Sequence, residues 1–213
     1  MGAIYEATWG RGFAALYDWF LQSSEEAGLT DMRRELLATA SGDVIDIGAG
    51  TGVNLELFPD SVTRLVMAEP SEHMAKRLRG KVEESGRAAE VVEAGAEALP
   101  FPDDSFDVAV FTLVLCTVDD PDASLAEAAR VLRPGGRLLF LEHVRSESEK
   151  TAKWQDRVER PWGFMAAGCH PNRDTGAAIG ASPLEIESLI DDEFPKAPSL
   201  ARPLIRGTAR LPA

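Results

Sequence analysis

Asp46 stands two residues before a run in which glycine recurs at every second position, Gly48-Ala49-Gly50-Thr51-Gly52. A carboxylate beside backbone that lacks Cβ atoms suits a ligand with a cationic amine that must lie close against the main chain. The spacing departs from the dinucleotide fingerprint, which requires a third glycine where Val53 stands. A second acid, Glu69, follows the first glycine by about twenty residues, where open α/β folds place an acceptor for ribose hydroxyls.

One acid for an amine and another for a sugar describe a nucleoside joined to an amino acid. S-adenosyl-L-methionine is such a molecule, with S-adenosyl-L-homocysteine as the product after its methyl group leaves. Displacement at a sulfonium needs donor and acceptor held in line and water excluded. A thiol acceptor is already a few per cent ionised near neutral pH, whereas an alcohol needs a general base. Of His73, His143 and His170, His143 follows the fifth expected strand at the ligand end of the sheet, and is the candidate catalytic base. Cys116 and Cys169 lie far apart in the chain, with neither a disulfide-framework nor a zinc-motif spacing, so no metal is expected.

These residues need a scaffold. Val44-Ile45-Asp46-Ile47 reads as a buried strand and Val53 to Phe58 as the opening of a helix, whose first amides would be free to meet a ligand. Strand and helix then alternate, the mark of a parallel sheet with crossover helices. Strands are expected at 64–68, 89–94, 106–115 and 137–142; helices are expected at 71–84 and from Pro121 to Leu132. A helix is expected over 146–160, broken by Pro161-Trp162-Gly163, and another from Ser182 to Ile190. The tail beyond Phe194 can supply two closing strands. Thr112 and Leu113 end the fourth strand at the ligand crevice. Before the first strand, Phe13, Leu16, Tyr17, Phe20 and Leu21 fall at helical spacing, Gly28 stops that helix, and Thr30 is placed to cap the next.

The Gly turn, Glu69-Pro70-Ser71, Ala96-Glu97-Ala98-Leu99-Pro100-Phe101, Ser105-Phe106-Asp107-Val108 and Arg130-Val131-Leu132-Arg133-Pro134-Gly135-Gly136 occur in the order found in class I S-adenosylmethionine-dependent methyltransferases, and the chain resembles that family. The resemblance implies a Rossmann-like class I methyltransferase fold, a seven-stranded, mostly parallel sheet with helices on both faces. It implies that Asp46 meets the donor's amino group and that Gly48, Ala49, Gly50, Thr51 and Gly52 lie against methionine and ribose. Glu69 and Pro70 would hold the sugar, and Met74 would cover the adenine. Gly95-Ala96 stands where the family has Asp-Ala; the Ala96 amide can still serve adenine, and Glu97 substitutes for the absent acid. By the same analogy residues 1–42 form a helical lid that brings Tyr17 to the donor, and 43–213 form one donor-binding domain.

Phe111-Thr112-Leu113-Val114-Leu115-Cys116-Thr117-Val118, Leu141-Glu142-His143-Val144, Trp154-Gln155, Pro161-Trp162, Gly168-Cys169 and Arg173-Asp174-Thr175 are similar to the methyltransferase-like thiol S-methyltransferases. This implies a small, largely apolar acceptor, with a thiol first. Oxygen, nitrogen or carbon of a lipid, quinone or secondary metabolite is the alternative, and a non-catalytic donor-binding partner protein is a further one. The hydrophobic N-terminal anchor of the family's animal members has no counterpart in the sequence, and Gly176 to Pro183 and the C-terminal tail show no clear match.

Composition bounds the rest. A chain of 213 residues with a formal charge of −13 disfavours a nucleic-acid partner or anionic lipid. No apolar run reaches membrane-spanning length, and the first residues do not resemble a signal peptide. A cytoplasmic monomer or homodimer is the expectation.

Overall fold

A computed structural model of the chain describes residues 22–166 and 168–213. The expected lid residue Tyr17 and the apolar stripe around it lie outside the described residues.

Strands β1 (Gly42–Ile47), β2 (Val62–Ala68), β3 (Glu90–Val92), β4 (Phe106–Thr112), β5 (Leu132–His143), β6 (Glu185–Glu193) and β7 (Pro203–Arg210) form one sheet in the order β3-β2-β1-β4-β5-β7-β6. The first five run parallel, and β7 is antiparallel to both of its neighbours. Helices are α1 (Thr30–Leu37), α2 (Glu72–Ser85), α3 (Pro121–Val131), α4 (Glu149–Met165) and α5 (Thr175–Ala181).

Strand alternation sends neighbouring residues to opposite faces, and both faces are apolar here. Ile45, Ile47, Ala109, Phe111 and Phe140 share one core with Leu125 and Ala128 of α3 and Ile179 of α5. Val44, Met67, Val108, Val110 and Leu139 share the other with Leu36 and Leu37 of α1 and Leu78 of α2. The near-unbroken apolar run of β4 therefore reflects burial on both sides. Residues 29–40 thus pack against the sheet through Leu29, Leu36, Leu37 and Ala40.

Four local expectations change. The helix expected at Val53 is one 3₁₀ turn, Leu55–Leu57, after a looser turn. Thr30 is the first residue of α1 rather than its cap, and its hydroxyl donates to Glu25. Helix α4 continues through Pro161 instead of stopping before it. The segment expected as a helix over Ser182–Ile190 is mostly strand β6. Ile186, Leu189 and Ile190 carry helical spacing, but the free edge of β7 offers backbone partners that a helix would forgo. Closing strands are therefore β6 and β7, one on each side of Phe194. No helix among the described residues is long and apolar enough to cross a membrane.

Candidate active site

The parallel register ends β1, β2 and β4 together at Ile47, Ala68 and Thr112, where an open α/β sheet forms its ligand crevice. A cleft opens there, lined by Gly48, Gly50, Glu69, Pro70, Met74, Gly95, Ala96, Glu97 and Leu113 from the sequence-derived set, with Val114, Thr117, Val118 and Asp119 closing its far wall.

The glycine turn is held by its own backbone. Gly48 and Ala49 amides donate to the Ala68 carbonyl at 2.8 and 3.0 Å, and the Gly52 amide donates to the Ala49 carbonyl at 2.9 Å. The Gly50 amide donates to Glu69 Oε2 at 2.9 Å. These amides are thus spent on the fold, and a ligand meets bare backbone rather than free N–H groups. Gly48 has φ 73, and a Cβ there would fall 2.6 Å from a Val114 methyl. Gly52, with φ 86, would likewise press on Leu78. The missing Cβ atoms therefore let β1, β4 and α2 close on the turn.

Glu69 is buried at the cleft edge, and its other oxygen, Oε1, accepts from the Ser71 amide at 2.9 Å. Two amides fix the carboxylate at the cleft edge. Glu97 Oε1 accepts from the Asp119 amide at 3.1 Å, joining the turn after β3 to the turn after β4 across the cleft.

Asp46 is placed differently. It is buried behind the glycine turn, and the Asn54 side-chain amide donates to both of its oxygens at 3.3 and 3.1 Å. The same Asn54 nitrogen donates to Thr112 Oγ1 at 3.0 Å, and Asn54 Oδ1 accepts from Arg33 at 3.1 Å. Arg33, buried in α1, pairs in turn with Glu25 at 3.1 Å. Burial pushes the Asp46 carboxyl up to about 7, with Asn54 and the Arg33 charge pulling it partly back. Asp46, Ala49, Thr51, Gly52 and Thr112 therefore form the backing of the turn and not the cleft surface. Arg33 and Asn54 carried no sequence signal, because their partners come from distant parts of the chain.

The wall after β4 is shaped by strain. Leu113 has φ 62, a left-handed conformation costly to a residue with a branched side chain. Its amide donates to the Leu141 carbonyl at 2.8 Å, and the next amide, Val114, donates to Glu142 Oε1 at 2.9 Å. Glu142 is fully buried; desolvation pushes its carboxyl up to about 7, and the backbone amides of the 114–116 turn oppose that.

His143 lies behind this wall rather than on the cleft surface. It is 2% exposed, with Nδ1 3.5 Å from Cys169 Sγ and Nε2 3.4 Å from the Leu200 carbonyl oxygen. Cys116 is buried close by. The thiol of Cys169 is held down by the Cys116 sulfhydryl and then by His143, while that same contact and burial hold the Cys116 thiol up. His170 pairs instead with Glu159 at 2.6 Å.

A cleft floored by Gly48 and Gly50 and edged by the fixed Glu69 carboxylate fits a nucleoside with a flanking amino-acid chain. A methyltransferase-domain family model matches residues 45–140. The human thiol S-methyltransferase TMT1A is 29% identical over 92% of this chain and 82% of its own length. Human thiol S-methyltransferase TMT1B is 38% identical over 65% of this chain, a match that spans 59% of that protein. The ubiquinone/menaquinone biosynthesis C-methyltransferase UbiE of Marinomonas is 40% identical over 55% of this chain and 49% of its own length. In fold, a crystal structure of an S-adenosylmethionine-dependent methyltransferase from Thermotoga maritima superposes with a TM-score of 0.71 at 23% identity, over 99% of this chain and all of that one.

Proposed function

Because the chain is a class I S-adenosylmethionine-dependent methyltransferase, we propose that it methylates the sulfur of a small, largely apolar thiol. One observation carries this reading. Among the described residues, the cleft lining holds no histidine, lysine, arginine, tyrosine or cysteine; its titratable groups are three carboxylates, Glu69 and Glu97, which accept from backbone amides, and Asp119. Such a site suits an acceptor that brings its own nucleophile, and a thiol near neutral pH does so. The thiol S-methyltransferases among its relatives support the same acceptor atom.

The donor supplies an electrophilic methyl group. Glu69 accepts from the sugar hydroxyls, with its geometry set in advance by the Gly50 and Ser71 amides. Pro70 and Met74 cover the base, the Ala96 amide meets its edge, and Glu97 stands beside it. Gly48 and Gly50 let the amino-acid arm lie against the turn, while Asp46 acts through Asn54 from behind it. Leu113, Val114 and Val118 form an apolar wall that excludes water near the reacting centre. His143 contributes from behind that wall by holding Cys169. The acceptor gives up its proton to solvent before the cleft closes on it, and its thiolate sulfur then takes the methyl group as the donor leaves as S-adenosylhomocysteine.

The test is product formation with a matched panel of small thiols, phenols and amines, read as S-adenosylhomocysteine release. Turnover of thiols over the matching phenols by at least an order of magnitude is expected. The match to UbiE favours a second reading, methylation at carbon of a quinol-like ring. Turnover of phenols or quinols with none of any thiol would replace the first reading with the second.

A further inference from the structure

Cys116, His143 and Cys169 come from the turn after β4, the last residue of β5 and the loop after α4. The tertiary fold brings their two sulfurs and a ring nitrogen together, all within 4.8 Å of one another. The pairing of two thiols with one imidazole suits a borderline-soft transition metal and not calcium or magnesium.

The geometry is close to what such an ion needs. Cys169 Sγ lies 3.5 Å from His143 Nδ1. A tetrahedral zinc, with sulfur at about 2.3 Å and nitrogen at about 2.05 Å, separates those two atoms by about 3.6 Å. The other ring nitrogen, Nε2, faces the Leu200 carbonyl at 3.4 Å. A proton on Nε2 donated to that carbonyl leaves the Nδ1 lone pair directed at the sulfurs, which is the outer-shell arrangement that orients metal-bound histidines. Gln155 Nε2 also donates to the Leu200 carbonyl, at 2.8 Å, so the acceptor is itself held in place.

The two cysteine segments are tied together without any metal. The His170 amide donates to the Cys116 carbonyl at 2.7 Å, and the Cys169 amide donates to the Ala166 carbonyl at 3.0 Å. Arg173 donates to the Leu115 carbonyl at 2.7 Å and closes the same junction. Two thiolates and a neutral imidazole around a dication sum to zero charge, which a buried pocket tolerates.

We propose that Cys116, His143 and Cys169 bind a single divalent zinc-type cation, with the fourth tetrahedral corner left to an exchangeable non-protein ligand. Three protein ligands with one open corner mark metal sites that do chemistry rather than ones that only brace a fold. The site sits directly behind the wall formed by Leu113, Val114, Thr117 and Val118, so an ion there adjoins the donor cleft. It requires nothing of the thiol reading and stands if the acceptor proves to be a carbon or an oxygen.

Chain carrying no polyhistidine tag, reduced, incubated with zinc and dialysed, is expected to retain about one zinc per chain by elemental analysis. Loaded with cobalt(II) instead, it is expected to show a thiolate-to-cobalt charge-transfer band and the visible bands of a tetrahedral ion. The band should weaken in Cys169→Ser and vanish in the double variant Cys116→Ser/Cys169→Ser. Cys169 is half-buried, so its variant is the one expected to fold. Should neither variant fold by circular dichroism, the cobalt spectrum of the unmodified chain decides alone. Imidazole added to the cobalt form should shift the visible bands, and unchanged bands would overturn the open corner. Retention below about one tenth of an equivalent, or a cobalt spectrum without charge transfer, would overturn the site. A thiol–imidazole hydrogen bond would then account for the cluster.

Discussion

Glu69 and Asp46 look equivalent in the sequence, yet one edges the cleft and the other backs the turn. Glu69→Gln keeps the side chain's size but weakens charge-assisted acceptance from a sugar diol, worth about 1.5–3 kcal/mol. Donor affinity measured by calorimetry should fall by about tenfold to a hundredfold, and because the new amide nitrogen faces the Gly50 or Ser71 N–H, stability in urea should fall by about 1–3 kcal/mol. Gly48→Ala should do more damage, because the left-handed φ and the overlap with Val114 act together. A loss of about 1–3 kcal/mol of stability, seen in urea unfolding, should accompany the loss of donor binding. Asp46 and Glu142 make a pH prediction. Their ordinary values of 3.8 and 4.5 both rise to about 7 on burial, so folding takes up protons between roughly pH 4 and 7. The stability owed to these groups therefore falls as pH rises through that window and stays low above it. Asp46→Asn removes one of the two, and its stability relative to the parent should be higher at pH 8 than at pH 4.

At the scale of elements, α1 does more than cover the sheet. Through Arg33 it reaches Asn54 and, by way of that amide, Asp46 and Thr112. Replacing Arg33 with methionine keeps the volume but strands the Asn54 oxygen and leaves the Glu25 carboxylate with the Thr30 hydroxyl in place of its cation. Breaking a buried network of this kind costs about 3–5 kcal/mol. The midpoint of urea unfolding should fall accordingly, and donor affinity should weaken because Asn54 no longer steadies the glycine turn. The elements also show what local sequence conveys. Strands β1, β2 and β4, helix α2 and helix α3 were legible because burial on one or both faces writes itself into a short window. Pro161 signals a break that α4 does not make, and the apolar spacing over β6 is that of a helix. Strand β6 depends on what lies alongside it, the open edge of β7, and not on its own residues.

For the whole molecule, a formal charge of −13 spreads self-repulsion over the surface. The exposed ion pairs, such as Arg79–Glu93 and Arg64–Glu90, each contribute little to offset it. Raising salt from about 0.05 M to about 0.5 M should therefore raise the thermal midpoint by a few degrees, because screening relieves repulsion more than it weakens those pairs. A fall on adding salt would mean that the pairs dominate.

The amino-acid sequence by itself determined the parallel sheet, the glycine turn, the acid at the end of β2 and the order of the methyltransferase motifs. Each of these is a local matter: a β-branched run, a left-handed turn that needs glycine, an acid at a strand end. Only the tertiary structure decided that Asp46 backs the turn through Asn54 and Arg33, and that Leu113 is strained against β5. It alone brought Cys116, His143 and Cys169 within reach of one another. Those contacts join residues whose separation along the chain is large, and a pattern read in short windows has no term for two segments that meet only when the sheet closes.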